Sequence, residues 1–427
     1  MARLEMIHFQ PMRLDRSISD NLPWVVDDMQ TATKALPQIY HESGEPWIEA
    51  NIYALNKIET GKKHKTVLTE MTHLRAYAEW LDNESLDWRH FPLKKKDRCV
   101  FRYRGHLINQ RDDGELTPSG TTARIGAILR FYRWAWSAGL IERNNLWEDR
   151  HKVIKTHSVV GLQRTFSVTS SELSIPNRTR PGATLEGGLL PLNESSTKTL
   201  LAFLKHHEMI ELYWMFMIGF CTGARIETIR TLRLSTLDSG RTAPYGSGVQ
   251  RIPVGPPTLV RTKFDVSGDL LFPTALISEL QKYATSARRL TREAKASSED
   301  RTLLFLTRTG KKYAETSFTS RMSKLRNKLI KSGFGEFEFL KFHQSRVTFG
   351  TQLMKKCLRD LKDQRSALVF VRDAMLHKDE KTTWKYINFV KQSPLKEKLS
   401  DEFFAFYSGQ DEYYTALIEE VVDGRPA

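Results

Sequence analysis

Cysteine is scarce: Cys99, Cys221 and Cys357 are odd in number and far apart, which excludes a disulfide framework and any zinc-finger spacing. Long apolar runs are missing too. The most apolar window, MIELYWMFMIGF from Met209 to Phe220, is too short to span a bilayer and contains Glu211, so it reads as a buried helix. The N-terminal stretch MARLEMIHFQPMRLDRS carries charges throughout and has no apolar core, unlike a signal peptide. No Asp/Glu cluster points to a metal site, and no internal repeat is visible. The expectation is an intracellular protein with no membrane partner, metal or cofactor.

What is abundant is positive charge. Lys and Arg total 65 against 50 Asp and Glu, a net charge of +15. That balance favours a polyanionic partner, nucleic acid before a membrane surface, with a well-solvated basic protein as the plain alternative. At 427 residues and 40% hydrophobic content the chain can fold, and its length implies two or three domains.

Residues 1–60 carry Pro-Trp pairs at 23–24 and 46–47 and suggest short helices and turns, an N-terminal extension of unknown role. Residues 61–150 read as a helical domain. In TVLTEMTHLRAYAEWL, Val67, Met71, Leu74, Tyr77, Ala78 and Leu81 share a face, and Ile125, Ile128, Leu129, Tyr132 and Trp136 share another. Its basic positions (Lys94, Lys95, Lys96, Arg102, Arg104, Arg124 and Arg130) suit phosphate-backbone contacts, though a solvated helical bundle would look the same. Residues 151–189, rich in Ser, Thr, Arg, Pro and Gly, read as an interdomain linker ordered on DNA through Arg178 and Arg180.

A second domain is expected over residues 190–400. Asn193 offers a helix cap before TKTLLAFLKHH, and Gly223 can end the apolar helix before Arg225 starts another. Residues 250–272, with RIPVG, TLVRTKF and DLLFP between Gly and Pro turns, suggest a small hairpin or meander carrying Lys263. Further helices follow, among them HQSRVTFGTQLMKKCL. Residues 401–427 form a tail helix with Tyr414, Leu417, Ile418 and Val421 on one face, to pack in its own domain or on a neighbouring protomer.

Singly, the chemical candidates are ordinary. Arg225 follows Thr-Gly-Ala at a helix start, Lys263 could be a strand-edge lysine, and His343 and Arg346 share a helix face in HQSR. In HKDEKTTWKY, His377 leads to Tyr386 through Thr382 and Thr383, which could cap the helix bearing the tyrosine. Taken in order, the six resemble the tyrosine recombinase (phage integrase) family over roughly residues 190–389. Three departures stand out. Thr228 occupies the place where that family usually has Glu, three after the first arginine. Leu376 precedes the second histidine where Gly is usual, and Ser345 replaces Leu in the H-x-L-R form.

The resemblance implies a mainly α protein: a helical core-binding (SAM-like) domain and an α+β catalytic domain with a small β-sheet. It implies a site-specific DNA recombinase or integrase, leaning to a mobile genetic element, that forms a 3′-phosphotyrosine intermediate without metal or ATP. Tyr386 would attack the phosphorus, Arg225 and Arg346 hold non-bridging oxygens, His343 take the phenolic proton, His377 hold a phosphate oxygen, and Lys263 protonate the departing 5′ oxygen. Two planar guanidinium forks suit that charge, and a tyrosine with a reference pKa of about 10 needs such help to ionise. Tyr407, Tyr413 and Tyr414 lack a histidine at the matching distance and are set aside. Implied partners are double-stranded DNA, three further copies in a tetramer on paired sites, and accessory DNA-bending proteins, in the bacterial cytoplasm or nucleoid. The alternatives are a type IB topoisomerase-like relaxing enzyme and a catalytically idle DNA-binding regulator on the same fold.

Overall fold

The computed structural model describes the chain except residues 16–22, 143–145, 158–162, 177–184, 243–247, 362 and 409–427. It divides into two compact units, Met1–Thr179 and Arg180–Ala427.

In the first unit, β1 (Arg3–Phe9) pairs antiparallel with β4 (Thr33–Tyr40), and β2 (Met12–Leu14) with β3 (Trp24–Val26). Four helices follow: α1 (Ile48–Glu59), α2 (His64–Asn83), α3 (Cys99–Asp112) and α4 (Pro118–Ser137). α4 begins as its sequence dictates, with Thr117 accepting from the Gly120 amide at 3.1 Å and Pro118 in the first turn. The apolar faces read in α2 and α4 meet in one aromatic core around Trp47, Tyr77, Phe131 and Tyr132. Trp136 is the exception, at 41% exposure. Asn51 joins strand to helix: its side chain exchanges both hydrogen bonds with the backbone of Ile39.

Of the short helices and turns expected in residues 1–60, α1 is a helix, while strands stand between Arg3 and Tyr40. Within residues 151–189, read as a linker, a two-stranded ribbon pairs β5 (Asp149–His157) with β6 (Gln163–Ser171). The reason is physical. Apolar alternation reports burial of one face, and here His151, Val153, Thr165, Ser167 and Thr169 are all exposed.

The second unit begins with α5 (Glu194–His206), capped by Asn193 as expected, then α6 (Ile210–Thr222), α7 (Ile226–Arg230) and α8 (Leu234–Asp238). Burial of Glu211 in α6 is tolerated because Arg288 and Arg292 pair with it at 2.7 and 2.9 Å. A three-stranded antiparallel sheet runs β7 (Arg241–Thr242), β8 (Val249–Val254), β9 (Gly268–Pro273). Helices α9 (Thr274–Ala284), α10 (Ala287–Glu293), α11 (Glu315–Lys331), α12 (His343–Asp360), α13 (Gln364–Ala374) and α14 (Glu380–Ser408) complete the unit. The mainly helical body with small sheets is the expected fold class. Tyr413, Tyr414, Leu417, Ile418 and Val421 of the expected tail helix fall outside the described residues. No described helix is long and apolar enough to cross a membrane.

Candidate active site

Five of the six residues singled out in the sequence surround one carboxylate, that of Glu186. His343 Nε2 lies 3.1 Å from its Oε2, and His377 Nε2 lies 2.7 Å from Oε1. The Tyr386 hydroxyl donates to Oε1 at 3.1 Å, and Arg346 Nε donates to Oε1 at 3.2 Å. The Arg225 guanidinium stands off at 3.8 Å, an ion pair without a hydrogen bond. Two guanidinium groups around one point make this a site for an anion rather than for a metal cation.

Close packing of backbone and side chain aims each group. Gly223 ends α6 in the left-handed conformation (φ 66°), and a Cβ there would come within 2.9 Å of Phe349 Cε1. Its carbonyl accepts from Arg346 Nη1 at 2.5 Å, while the Met375 carbonyl accepts from Nη2 at 2.8 Å. Arg346 is thus buried with two backbone partners, leaving Nε for the anion. His343 and Arg346 face it together from the first turn of α12, the i,i+3 spacing read in HQSR. Ser345, between them, points the other way. A Cβ on Gly219 would meet its Cβ at 2.9 Å, so the small residue at 345 serves the close approach of α6 and α12.

The other side of the site comes from the α13–α14 corner. The amides of Leu376 and His377 bond the carbonyls of Asp373 and Arg372, which is a Schellman ending of α13 with Leu376 at the left-handed position (φ 49°). The glycine that the resemblance leads one to expect there would fit without strain, whereas leucine costs about 1–2 kcal/mol. Its side chain packs against the core and over Gly268, which offsets part of that cost. Thr382 and Thr383 lie inside α14 and do not cap it. Asp379 does, its carboxylate accepting from the Lys381 amide at 2.9 Å. Thr383 instead turns inward, fully buried, with Oγ1 at 2.8 Å from His377 Nδ1.

The electrostatics follow from burial. Burial alone would raise the Glu186 carboxyl, but hydrogen bonds from His343 and His377 and the charge of Arg346 hold it far below the usual range. Burial, with Arg346 opposing the Glu186 bond, lowers His377 from its ordinary value, so its ring is neutral at pH 7. A neutral ring has one N–H. Because the carboxylate only accepts, Nε2 donates to Glu186 and Nδ1 accepts from Thr383. Burial, then the Glu186 charge, pushes Tyr386 well above a free phenol. Burial, then Arg346, brings Arg225 down to about 10.

Lys263 stands apart. It lies in the loop between β8 and β9 rather than on a strand, exposed, its ammonium 5.1 Å from the Phe264 ring. That loop carries left-handed Leu259, Phe264 and Asp265, a strained backbone of the kind found in functional loops. Several basic residues of the first unit already have acidic partners. Lys95 bonds Glu148 and Glu172 at 2.6 and 3.2 Å, Arg130 bonds Glu70 at 2.7 Å, Arg102 pairs with Glu84, and Lys94 lies 3.9 Å from Asp97. Lys96 is exposed, Arg104 has a buried Nε without a hydrogen-bond partner, and Arg124 is half-buried beside Tyr103. Arg178 and Arg180 lie outside the described residues.

Glu186, the hub, was not singled out in the sequence. It lies in the stretch read as a linker, and its one signal is an isolated acid before Gly187-Gly188. Thr228, where a family glutamate is usual, is buried and contributes no carboxylate.

The chain matches no protein-family model and no curated relative. Among solved structures it is similar to the Tn1549 transposon integrase (residues 82–397) in complex with circular intermediate DNA, at 16% identity and TM-score 0.50, covering 79% of this chain and 94% of that one. The same integrase with transposon right end DNA gives 14% identity and TM-score 0.50, covering 82% and 99%. A lambda integrase (residues 75–356) dimer bound to a COC′ core site gives 12% identity and TM-score 0.47, covering 79% and 94%. The chain has the tyrosine-recombinase fold that its motifs resemble.

Proposed function

We propose that the chain is a site-specific DNA recombinase that cuts and rejoins strands through a 3′-phosphotyrosine at Tyr386. One observation carries the reading: a tyrosine hydroxyl, two guanidinium groups and two imidazoles converge on a single carboxylate, that of Glu186. The solved integrases of this fold hold DNA, which supports DNA as the partner. Exposed ion pairs such as Lys95–Glu148 are screened by solvent, so phosphates could exchange for the acids at little cost.

In this reading a scissile phosphate takes the place of the Glu186 carboxylate. Arg346 Nε and the free donors of Arg225 meet its non-bridging oxygens, and His377 donates from Nε2. The Tyr386 oxygen bonds to phosphorus while its proton passes to His343. The bond to the 5′ oxygen breaks and that oxygen takes a proton from Lys263, once the loop carrying it turns to the site. The phosphotyrosine keeps the bond energy, so another strand's 5′ hydroxyl can reverse the step. Residues 61–150 would bind DNA, residues 190–400 would cut it, and four copies on paired sites would exchange strands.

The test is covalent capture on nicked duplexes taken from the DNA flanking the gene. Wild-type protein should form a denaturant-resistant adduct and Tyr386→Phe should bind the same DNA without one. An adduct that survives the substitution would move the nucleophile elsewhere. Recombination of a two-site plasmid, as opposed to its relaxation alone, separates a recombinase from a topoisomerase.

A further inference from the structure

We propose that Glu186 is a built-in phosphate mimic that occupies the anion site of the DNA-free protein and must leave before a scissile phosphate can bind. The inference rests on the recombinase reading and adds the regulation of that site.

Three observations carry it. The Glu186 carboxylate engages the very groups assigned to the phosphate: His343, Arg346 and His377 by hydrogen bonds and Arg225 by charge. It also accepts the hydrogen bond of the Tyr386 hydroxyl. With Glu186 in place Tyr386 is 0% exposed, so no external phosphorus can reach its oxygen. Both cannot be bound at once.

The segment that delivers Glu186 is anchored beside it. Leu185 is buried in the core cluster that includes Val347, Met354 and Tyr386, and its amide bonds the Leu189 carbonyl at 2.9 Å. Further along, the Leu192 amide donates to Thr348 Oγ1 at 2.9 Å, which ties the strap to α12. Glu186 is the tip of this turn, followed by Gly187 and Gly188 in left-handed conformations (φ 69° and 80°). A rotamer change can withdraw the carboxylate while the anchors stay. The exchange is also isocoulombic, because a phosphodiester carries one negative charge like the carboxylate it replaces. Before and after the exchange the site holds one anion, so Arg225 and Arg346 have a counter-charge in both end states.

The alternative is a permanent positioning role, with Glu186 standing in for the carboxylate missing at Thr228. Calorimetric titration of the full chain with inorganic phosphate at constant ionic strength separates the two, alongside covalent capture on the nicked duplex. Glu186→Gln should bind phosphate about tenfold more tightly or better, the factor lost when only a tenth of molecules are open. It should form the Tyr386 adduct at least as fast as wild type. Glu186→Asp keeps the charge but is one methylene shorter, so it should fold like wild type and fall between the two in affinity. Unchanged phosphate affinity with slower adduct formation in both variants would overturn the proposal and make Glu186 a positioning residue. Tighter phosphate binding without an adduct in any form would support displacement and defeat the recombinase reading alone.

Discussion

The Thr383 hydroxyl lies 2.8 Å from Nδ1 of His377, and both groups are buried. The acceptor-only anion facing Nε2 places the proton there, and the Thr383 hydroxyl, donating to Nδ1, reinforces that tautomer. Thr383→Val keeps the shape, removes the donor and frees the ring to take the other tautomer. Adduct formation should slow by about 10–10²-fold, the scale for losing the group that orients a functional histidine. Thr382→Ala, one position away, should change little. Equal single-turnover rates for wild type and Thr383→Val would show that the tautomer does not matter.

Gly350 in α12 makes room for the tyrosine. A Cβ there would lie 2.6 Å from Tyr386 Cε1 and 2.7 Å from Met375 Sδ. Gly350→Ala should therefore cost about 1–3 kcal/mol by overpacking and shift the phenol out of line. Adduct formation should fall with it. Gly105→Ala is the matched control, because a Cβ in that turn of α3 meets nothing within 4 Å. It should gain about 0.4–1 kcal/mol from the lower backbone entropy of the unfolded chain. Denaturant midpoints of the two variants, read against wild type, give the comparison.

The two arginines differ in how they are held. Arg346 is locked by the carbonyls of Gly223 and Met375, whereas Arg225 stands 3.8 Å from the anion, partly exposed. Alanine at either position should slow cleavage by about 10²–10³-fold, the loss expected for one preorganised charge donor. Arg346→Ala should also unfold at lower denaturant, since it leaves those two carbonyls buried without a donor. Arg225→Ala should spare stability by comparison. Rates and midpoints measured on the same preparations test the split, and an equal stability loss in both would refute it.

Much of this site was readable because its signals are local. TGAR places a left-handed glycine beside Arg225, HQSR puts two side chains on one turn, and Asn193 announces its helix. Each needs only a few consecutive residues. Glu186 could not be read this way, since its partners come from the cap of α7, from α12, from the α13–α14 corner and from α14. A single glutamate in a Ser/Thr/Gly-rich stretch has no pattern until those elements meet. The same limit explains β1 and the β5–β6 ribbon, whose exposed residues leave no apolar period; β4 is buried at Leu36 and Ile39, but Pro37 and Gln38 interrupt its alternation. The departures from family pattern became intelligible only in three dimensions: Ser345 through Gly219, and Leu376 through its left-handed backbone and Gly268.

His377 gives the site a pH signature. Burial, with Arg346 opposing its bond to Glu186, holds the folded imidazole below its ordinary value. The unfolded chain titrates near the reference pKa of about 6.5, so on acidification it takes up this proton before the folded protein does. Stability from this group is therefore complete above about pH 6.5 and is lost as the pH falls through the lower folded value, by at most about 1.4 kcal/mol per pH unit. The expected outcome is that wild type loses more stability than His377→Asn between about pH 8 and about pH 5 in denaturant titrations. The opposite result, with wild type gaining on the variant in acid, would mean that His377 is held as an imidazolium by Glu186. In that case Nδ1 would donate to Thr383 rather than accept from it, and Thr383→Val would no longer select a tautomer.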